Sequence, residues 1–220
     1  MKKALVAILL LATVALNAQD FKKFRLGLNV GPNLGWIKPT EDGWKGDGVR
    51  VGFSAGLITD FYFTKNYGLS TGIQILNAGG RVKFESPLYN IEAKYMNQYV
   101  QLPFALKMKT NDFSGFNIFG LFGLTAEYRY KSRFDWVATG FGSAVGEDNV
   151  NGKDYTRDLR LGLNIGLGTE YNIAGSTSLF VSLVYNNGII GAAKSNDNQN
   201  VNNSTSGNIN FFAVNFGVLF

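Results

Sequence analysis

A small set of charged side chains is placed where it could do chemistry: Arg25, Arg50, Asp60, Lys107, Glu127, Arg129, Arg160 and Glu170. Each interrupts a run rich in large apolar residues, as Arg160 does between Leu159 and Leu161. Charges in such surroundings must pair and hydrogen-bond, or each suffers a penalty of about several kcal/mol. Two arrangements meet that demand, an internal salt-bridge network or a narrow cation-lined path that prefers anions. Catalysis is a third option, and composition argues against it. The chain has no histidine and no cysteine, which excludes His-dependent triads, thiolate nucleophiles, cysteine-linked lipid anchors and the commonest metal ligands. Glu127 or Asp60 could formally serve as a general base, but no spacing supplies it with a nucleophile. The run Glu147–Asp154 resembles a calcium loop only superficially, since Val150 stands where a ligand is needed after Asp148. The expectation is no enzyme, no cofactor and no metal.

The elements that must hold these groups announce themselves by period-two alternation, which recurs eight times beyond residue 20. In the second such segment Val49, Val51, Phe53, Ala55, Leu57, Thr59 and Phe61 oppose Arg50, Gly52, Ser54, Gly56, Ile58, Asp60 and Tyr62. In the sixth, Leu159 to Leu167 at odd positions oppose Arg160, Gly162, Asn164, Gly166, Gly168 and Glu170. The first segment runs over 24–31, and Phe119 and Leu121 break the polarity of the fifth. One face is large and apolar; the other is small, polar or charged. A soluble barrel would put the glycine-rich face in water, an odd surface to build. With the apolar face toward lipid and the glycine-rich face lining a narrow interior, both make sense. Pairs such as Gly162 and Gly166 then read as interior strand positions and not as helix-dimer motifs.

Connections alternate in length. Long ones cover 36–48, 77–97, 132–157 and 187–208, and short ones cover 64–67, 110–115 and 172–177. Short turns on one side and long loops on the other are the rule of outer-membrane barrels. The predicted fold is therefore all-β, an eight-stranded antiparallel up-and-down transmembrane β-barrel with both termini in the periplasm. Aromatic girdles should form from Phe24, Phe61, Phe63, Phe116, Tyr171 and Phe220 at the periplasmic interface, and from Trp36, Tyr128, Tyr130, Tyr185 and Phe212 at the outer one. In this frame Arg25, Asp60, Lys107 and Glu170 fall in the periplasmic half, balanced in sign. Arg50, Glu127, Arg129 and Arg160 fall in the outer half, three positive against one negative.

The chain opens as an exported one does. Lys2 and Lys3 precede an apolar run, Ala4 to Leu16, that is too short to span a bilayer as a helix, and Ala18 offers a cleavage point. Residues 1–18 are thus expected to be a cleaved signal peptide and 19–220 the barrel domain. The net charge is +5 and is not arranged as a nucleic-acid footprint. Glycine at 27, phenylalanine at 18 and a charged fraction of only 17% fit β-structure in lipid. Residues Ser195–Asn208 form a polar, low-complexity tract suited to an extracellular loop.

Asn97–Lys109 (NQYVQLPFALKMK), Gly115–Lys131, Asp158–Tyr171 and the terminal FFAVNFGVLF resemble the PorT-like outer-membrane β-barrel family of Bacteroidetes. The resemblance implies an eight-stranded barrel in the bacterial outer membrane, one relative of which takes part in protein secretion. The strand end with Phe212, Phe216, Val218 and Phe220 on one face also resembles the signal read by the barrel-assembly machinery. Expected partners are outer-membrane lipid, that machinery during biogenesis, and envelope or secretion-complex proteins. Two roles stay open at this point: a structural or adhesion-type barrel with a side-chain-filled lumen and long loops, or a component of a secretion complex. A narrow gated pore is the variant in which the inward charges line a path.

Overall fold

A computed structural model describes residues 23–40, 42–153, 156–189 and 207–220. The expected signal peptide and nearly all of the Ser195–Asn208 tract lie outside these described residues. The strands are β1 (Phe24–Pro39), β2 (Trp44–Gly46), β3 (Arg50–Tyr62), β4 (Tyr67–Glu85), β5 (Tyr89–Lys109), β6 (Phe116–Gly140), β7 (Ser143–Asn151), β8 (Leu159–Ala174), β9 (Thr177–Gly188) and β10 (Gly207–Leu219). All neighbours are antiparallel. The ladder runs β4-β3-β1-β10-β9-β8-β6-β5, and a β4–β5 pairing closes it into a ring of eight strands. Closure matters because hydrocarbon offers no partner to an open strand edge. Strands β2 and β7 stand outside the ring, on β4 and β6.

The faces sort by period two. On β1, Leu26, Leu28, Val30 and Leu34 point outward and are exposed, while Arg25, Asn29 and Asn33 point inward and are buried. The pattern repeats around the ring, so its outer surface is almost wholly aliphatic and aromatic. Girdle contacts form at both ends: Phe24 packs on Phe61 with ring centroids 5.1 Å apart and Phe116 on Tyr171 at 4.5 Å. Trp36, Tyr185 and Phe212 make the corresponding cluster at the other end, with Tyr185 and Phe212 at 4.9 Å.

Three expectations are corrected. Strand β1 does not stop at Gly31 but continues through Pro32 to Pro39. Proline lacks the N–H that a ladder needs, and the β1–β10 register skips Gly31 and Pro32 while β3 pairs on the other side. Pro103 is accommodated in the same way, since the β4–β5 register skips it and Leu102. Second, most of 77–97 and 132–151 is strand and not loop. Strands β4 and β5 pair without interruption from Gln74–Gln101 to Glu85–Asn90, and β6 with β7 builds a further hairpin beside them. Together they form a long arm beyond the apolar belt. Third, the inner face is not uniformly small and polar. Along the arm that face turns apolar, with Val82, Ala93 and Tyr95 buried, while Arg81, Glu85 and Glu92 face out.

Two inner glycines take a role beyond fitting a narrow lumen. Phe119 on β6 is paired with Gly168 on β8, and Phe180 on β9 with Gly217 on β10. A Cβ on Gly168 would lie 2.4 Å from the Phe119 ring, and one on Gly217 would lie 2.3 Å from the Phe180 ring. The glycines are seats for the two rings, which form a buried apolar layer with Leu219, Ile58 and Leu121. This explains why Phe119 and Leu121 break the polarity of their strand. Gly168→Val should force these rings aside and cost roughly 1–3 kcal/mol, read as earlier loss of the heat-modifiable folded band on gels. Adding Phe119→Ala should recover part of that loss.

Candidate functional site

The inward charges collect in two layers, set by strand parity. Near the short-turn end Glu170 on β8 is the hub. It accepts from Arg25 on β1 at 2.8 Å and from Lys107 on β5, and Lys109 Nζ lies 3.8 Å from its Oε2. Lys107 also donates to Asp60 Oδ2 at 2.6 Å, and Ser70 Oγ donates to Asp60 Oδ1 at 2.7 Å. Arg25 completes its set by donating to Ser178 Oγ at 2.7 Å and to the Ser176 carbonyl at 3.1 Å. Register places Arg25 directly opposite Asp60 on neighbouring strands, yet both ions pair elsewhere. Arg25 ties β1 to β8 across the lumen.

The second layer centres on Glu127 and Arg160, opposed on β6 and β8. Arg160 Nη1 donates to Glu127 Oε2, and its Nη2 donates to Asn186 Oδ1 and the Ile209 carbonyl. Glu127 Oε1 accepts from Gln101 Nε2 at 2.8 Å and Thr125 Oγ1 at 3.1 Å. Both ions are fully buried. Arg129 does not join them. It turns outward along the axis to Asp158 and to the carbonyls of Lys153, Thr156 and Arg157. Arg50 is half-buried, with Asp135 and Arg81 as its charged surroundings, and belongs to neither layer. With Arg50 outside the layer, the outer half is balanced two against two: Arg160 pairs with Glu127 and Arg129 with Asp158, a partner that sequence reasoning missed. Lys109 was missed too, although it sits two residues from Lys107 on the same strand face.

Between and beyond these layers the lumen is filled. A central cavity of about 80 Å³ lies between them, lined by Asn29, Ser54, Gln74 and Ser182 together with Phe119 and Phe180; it has room for a few waters. Toward the long-hairpin end a cluster of Leu76, Tyr99, Val82, Ile209 and Phe211 closes the bore, with Trp44, Phe134 and Trp136 packed against it. The closure needs β4 to lean over the end of β3 onto β1, and Gly35 and Gly79 allow it. A Cβ on Gly35 would lie 2.5 Å from the Gly79 carbonyl oxygen. At the short-turn end the bore instead widens into a vestibule of about 500 Å³. On the exposed outer side of the arm, Lys83 and Lys45 hydrogen-bond Glu85 at 2.9 and 3.2 Å. These bonds hold its carboxyl below the usual range, and the bond to Glu85 raises Lys83. Phe212, Phe216 and Phe220 lie exposed on the outer face of β10, with Val218 half-exposed between them.

A family model described as outer membrane protein beta-barrel domain matches residues 17–194. No curated protein matches the chain. Among solved structures, Neisserial surface protein A is 13% identical with a TM-score of 0.45, covering 90% of this chain and 96% of that one. Ail, the attachment invasion locus protein of Yersinia pestis, is 16% identical with a TM-score of 0.37, covering 90% and 99%. The outer membrane protein OprG from Pseudomonas aeruginosa is 12% identical with a TM-score of 0.44, covering 90% and 96%.

Removing one partner of a buried pair leaves an uncompensated charge, at a cost of about 3–5 kcal/mol. Glu127→Ala should therefore lower the thermal midpoint of the detergent-folded protein sharply. The double variant Glu127→Leu with Arg160→Met should regain most of it. Unchanged heat-modifiability of Glu127→Ala would rule out a stabilising Glu127–Arg160 tie.

Proposed function

Because the chain belongs to the outer membrane protein beta-barrel domain family, we propose that it works in the bacterial outer membrane as a plugged interaction barrel. Its activity then resides in what it displays outside the cell and not in what it passes through. With the start of β1 and the end of β10 at the short-turn end, the arm built from β4, β5, β6 and β7 is the extracellular part. Among the described residues the lumen offers no catalytic constellation: its carboxylates are each engaged by cations, and the sequence has no histidine or cysteine to work with them. Two charge layers and an apolar closure in series support a non-conducting barrel over a gated pore. Outward Phe212, Phe216, Val218 and Phe220 on the terminal strand suit contact with lipid and with the assembly machinery during insertion.

One observation carries the interaction reading. The β6–β7 hairpin turns at Phe141 and Gly142, with φ of 50° and 79°. A two-residue hairpin turn with both φ positive favours Asn-Gly, because a bulky residue is strained there. Phe141 nonetheless occupies the first position and is 87% exposed. Leu88 and Tyr89, at the neighbouring hairpin tip, and Val145 are exposed beside it, since Tyr89 pairs with Gly140. A side chain held against both its backbone preference and its solvation is the natural contact point of an adhesive or docking tip. The resemblance to PorT-like barrels supports a second reading, a secretion-complex component using the same surface.

Purified protein in planar bilayers is expected to show no steady ion-selective conductance; its appearance would sink the plugged-barrel reading. Phe141→Asn should raise stability by about 1 kcal/mol while weakening attachment of cells displaying the protein to apolar-coated surfaces. Extraction of the untreated outer membrane should yield a lone barrel, whereas a stable large complex favours the secretion reading.

A further inference from the structure

The vestibule at the periplasmic mouth is a second concave site, separate from the extracellular arm. Its walls come from the ends of nearly every ring strand: Arg25, Tyr62, Lys65, Lys109, Asn117 and Asn172 among others. Most lining residues carry a polar or charged group, and its volume of about 500 Å³ falls in the range of small-ligand sites. Its charge is unbalanced. Arg25, Lys65, Lys107 and Lys109 line it or lie in the layer beneath, against Asp60, Asp112 and Glu170. Glu170 alone serves three of those cations.

Two wall groups are left with donors to spare. Lys109 reaches Glu170 only at 3.8 Å, beyond hydrogen-bond range, and its ammonium instead lies 5.1 Å from the centroid of the Tyr62 ring. Tyr62 is 6% exposed, and its hydroxyl has no hydrogen-bond partner among the described residues. An unmet buried hydroxyl is costly, because folding strips away its water and returns no partner. The phenol and the ammonium stand at the ends of β3 and β5, the two neighbours of β4. A cation and a neutral donor, both lacking an acceptor in a polar cleft, are what a bound oxyanion would satisfy.

We propose that this vestibule binds an oxyanion group, a carboxylate or a phosphate, carried by a small polar solute of the periplasm, with Lys109 and Tyr62 as its principal donors. The other mouth is closed by the Leu76–Tyr99–Ile209 cluster, so the solute enters and leaves on the periplasmic side only.

The test is titration calorimetry on the full mature barrel folded in a zwitterionic detergent, with inorganic phosphate and succinate as separate probes at constant ionic strength. Saturable binding of at least one probe is expected, and which one binds tells phosphate from carboxylate. Lys109→Met should weaken it about tenfold or more. Tyr62→Phe removes only the hydroxyl and should weaken it several-fold while keeping the fold, should Lys109→Met fail to fold. Lys83→Met, on the extracellular arm, should change nothing. Heat that does not saturate, or that is the same in wild type and Tyr62→Phe, overturns the proposal.

Discussion

A β-strand in hydrocarbon has no water to satisfy its N–H and C=O groups, so every strand must have two neighbours. The pairing of β1 with β10 meets that requirement at the seam, with Gly27 opposite Leu219 and Pro39 opposite Gly207. Everything else depends on that closure. Once eight strands form a ring, every second side chain is driven into a bore just wide enough for side chains to fill. Charges forced into that bore pair across it, because nothing else there can solvate them.

The same strand face changes character along its length. On β5, Lys107 and Gln101 are lumenal within the apolar belt, and Tyr95 and Ala93 continue that face beyond it. Within the belt the outside is lipid, so the apolar side chains go out and polar ones turn in. Above it the outside is water, and the preference reverses without any change of parity. The extracellular arm is therefore built like a soluble β-structure standing on a membrane one, and its apolar inner face becomes the stopper of the barrel.

This reversal explains why the arm was not legible as strand. Val82, Phe84, Ile91, Ala93 and Tyr95 do alternate with charged residues, but the alternation is short and interrupted by Gly79, Gly80 and the Ser86-Pro87 turn. The charge layers were legible only as membership. Period two places Arg25, Asp60, Lys107 and Glu170 inside, but it carries no information on which reaches which. Arg129 shows the limit: its parity placed it inside with Glu127, and the fold gives it Asp158 and three carbonyls as partners.

From the amino-acid order alone come the β class, the lipid-facing stripe, the hairpin connectivity and the exclusion of histidine and cysteine chemistry. These are properties of single strands, written in spacing and composition. The transluminal pairing of Arg25 with Glu170, the Phe119 and Phe180 rings seated on Gly168 and Gly217, the apolar stopper and the open basic vestibule belong to the closed ring. They depend on strand stagger and bore diameter, which bring Arg25 and Glu170 together across 145 positions in sequence. No local pattern records that distance.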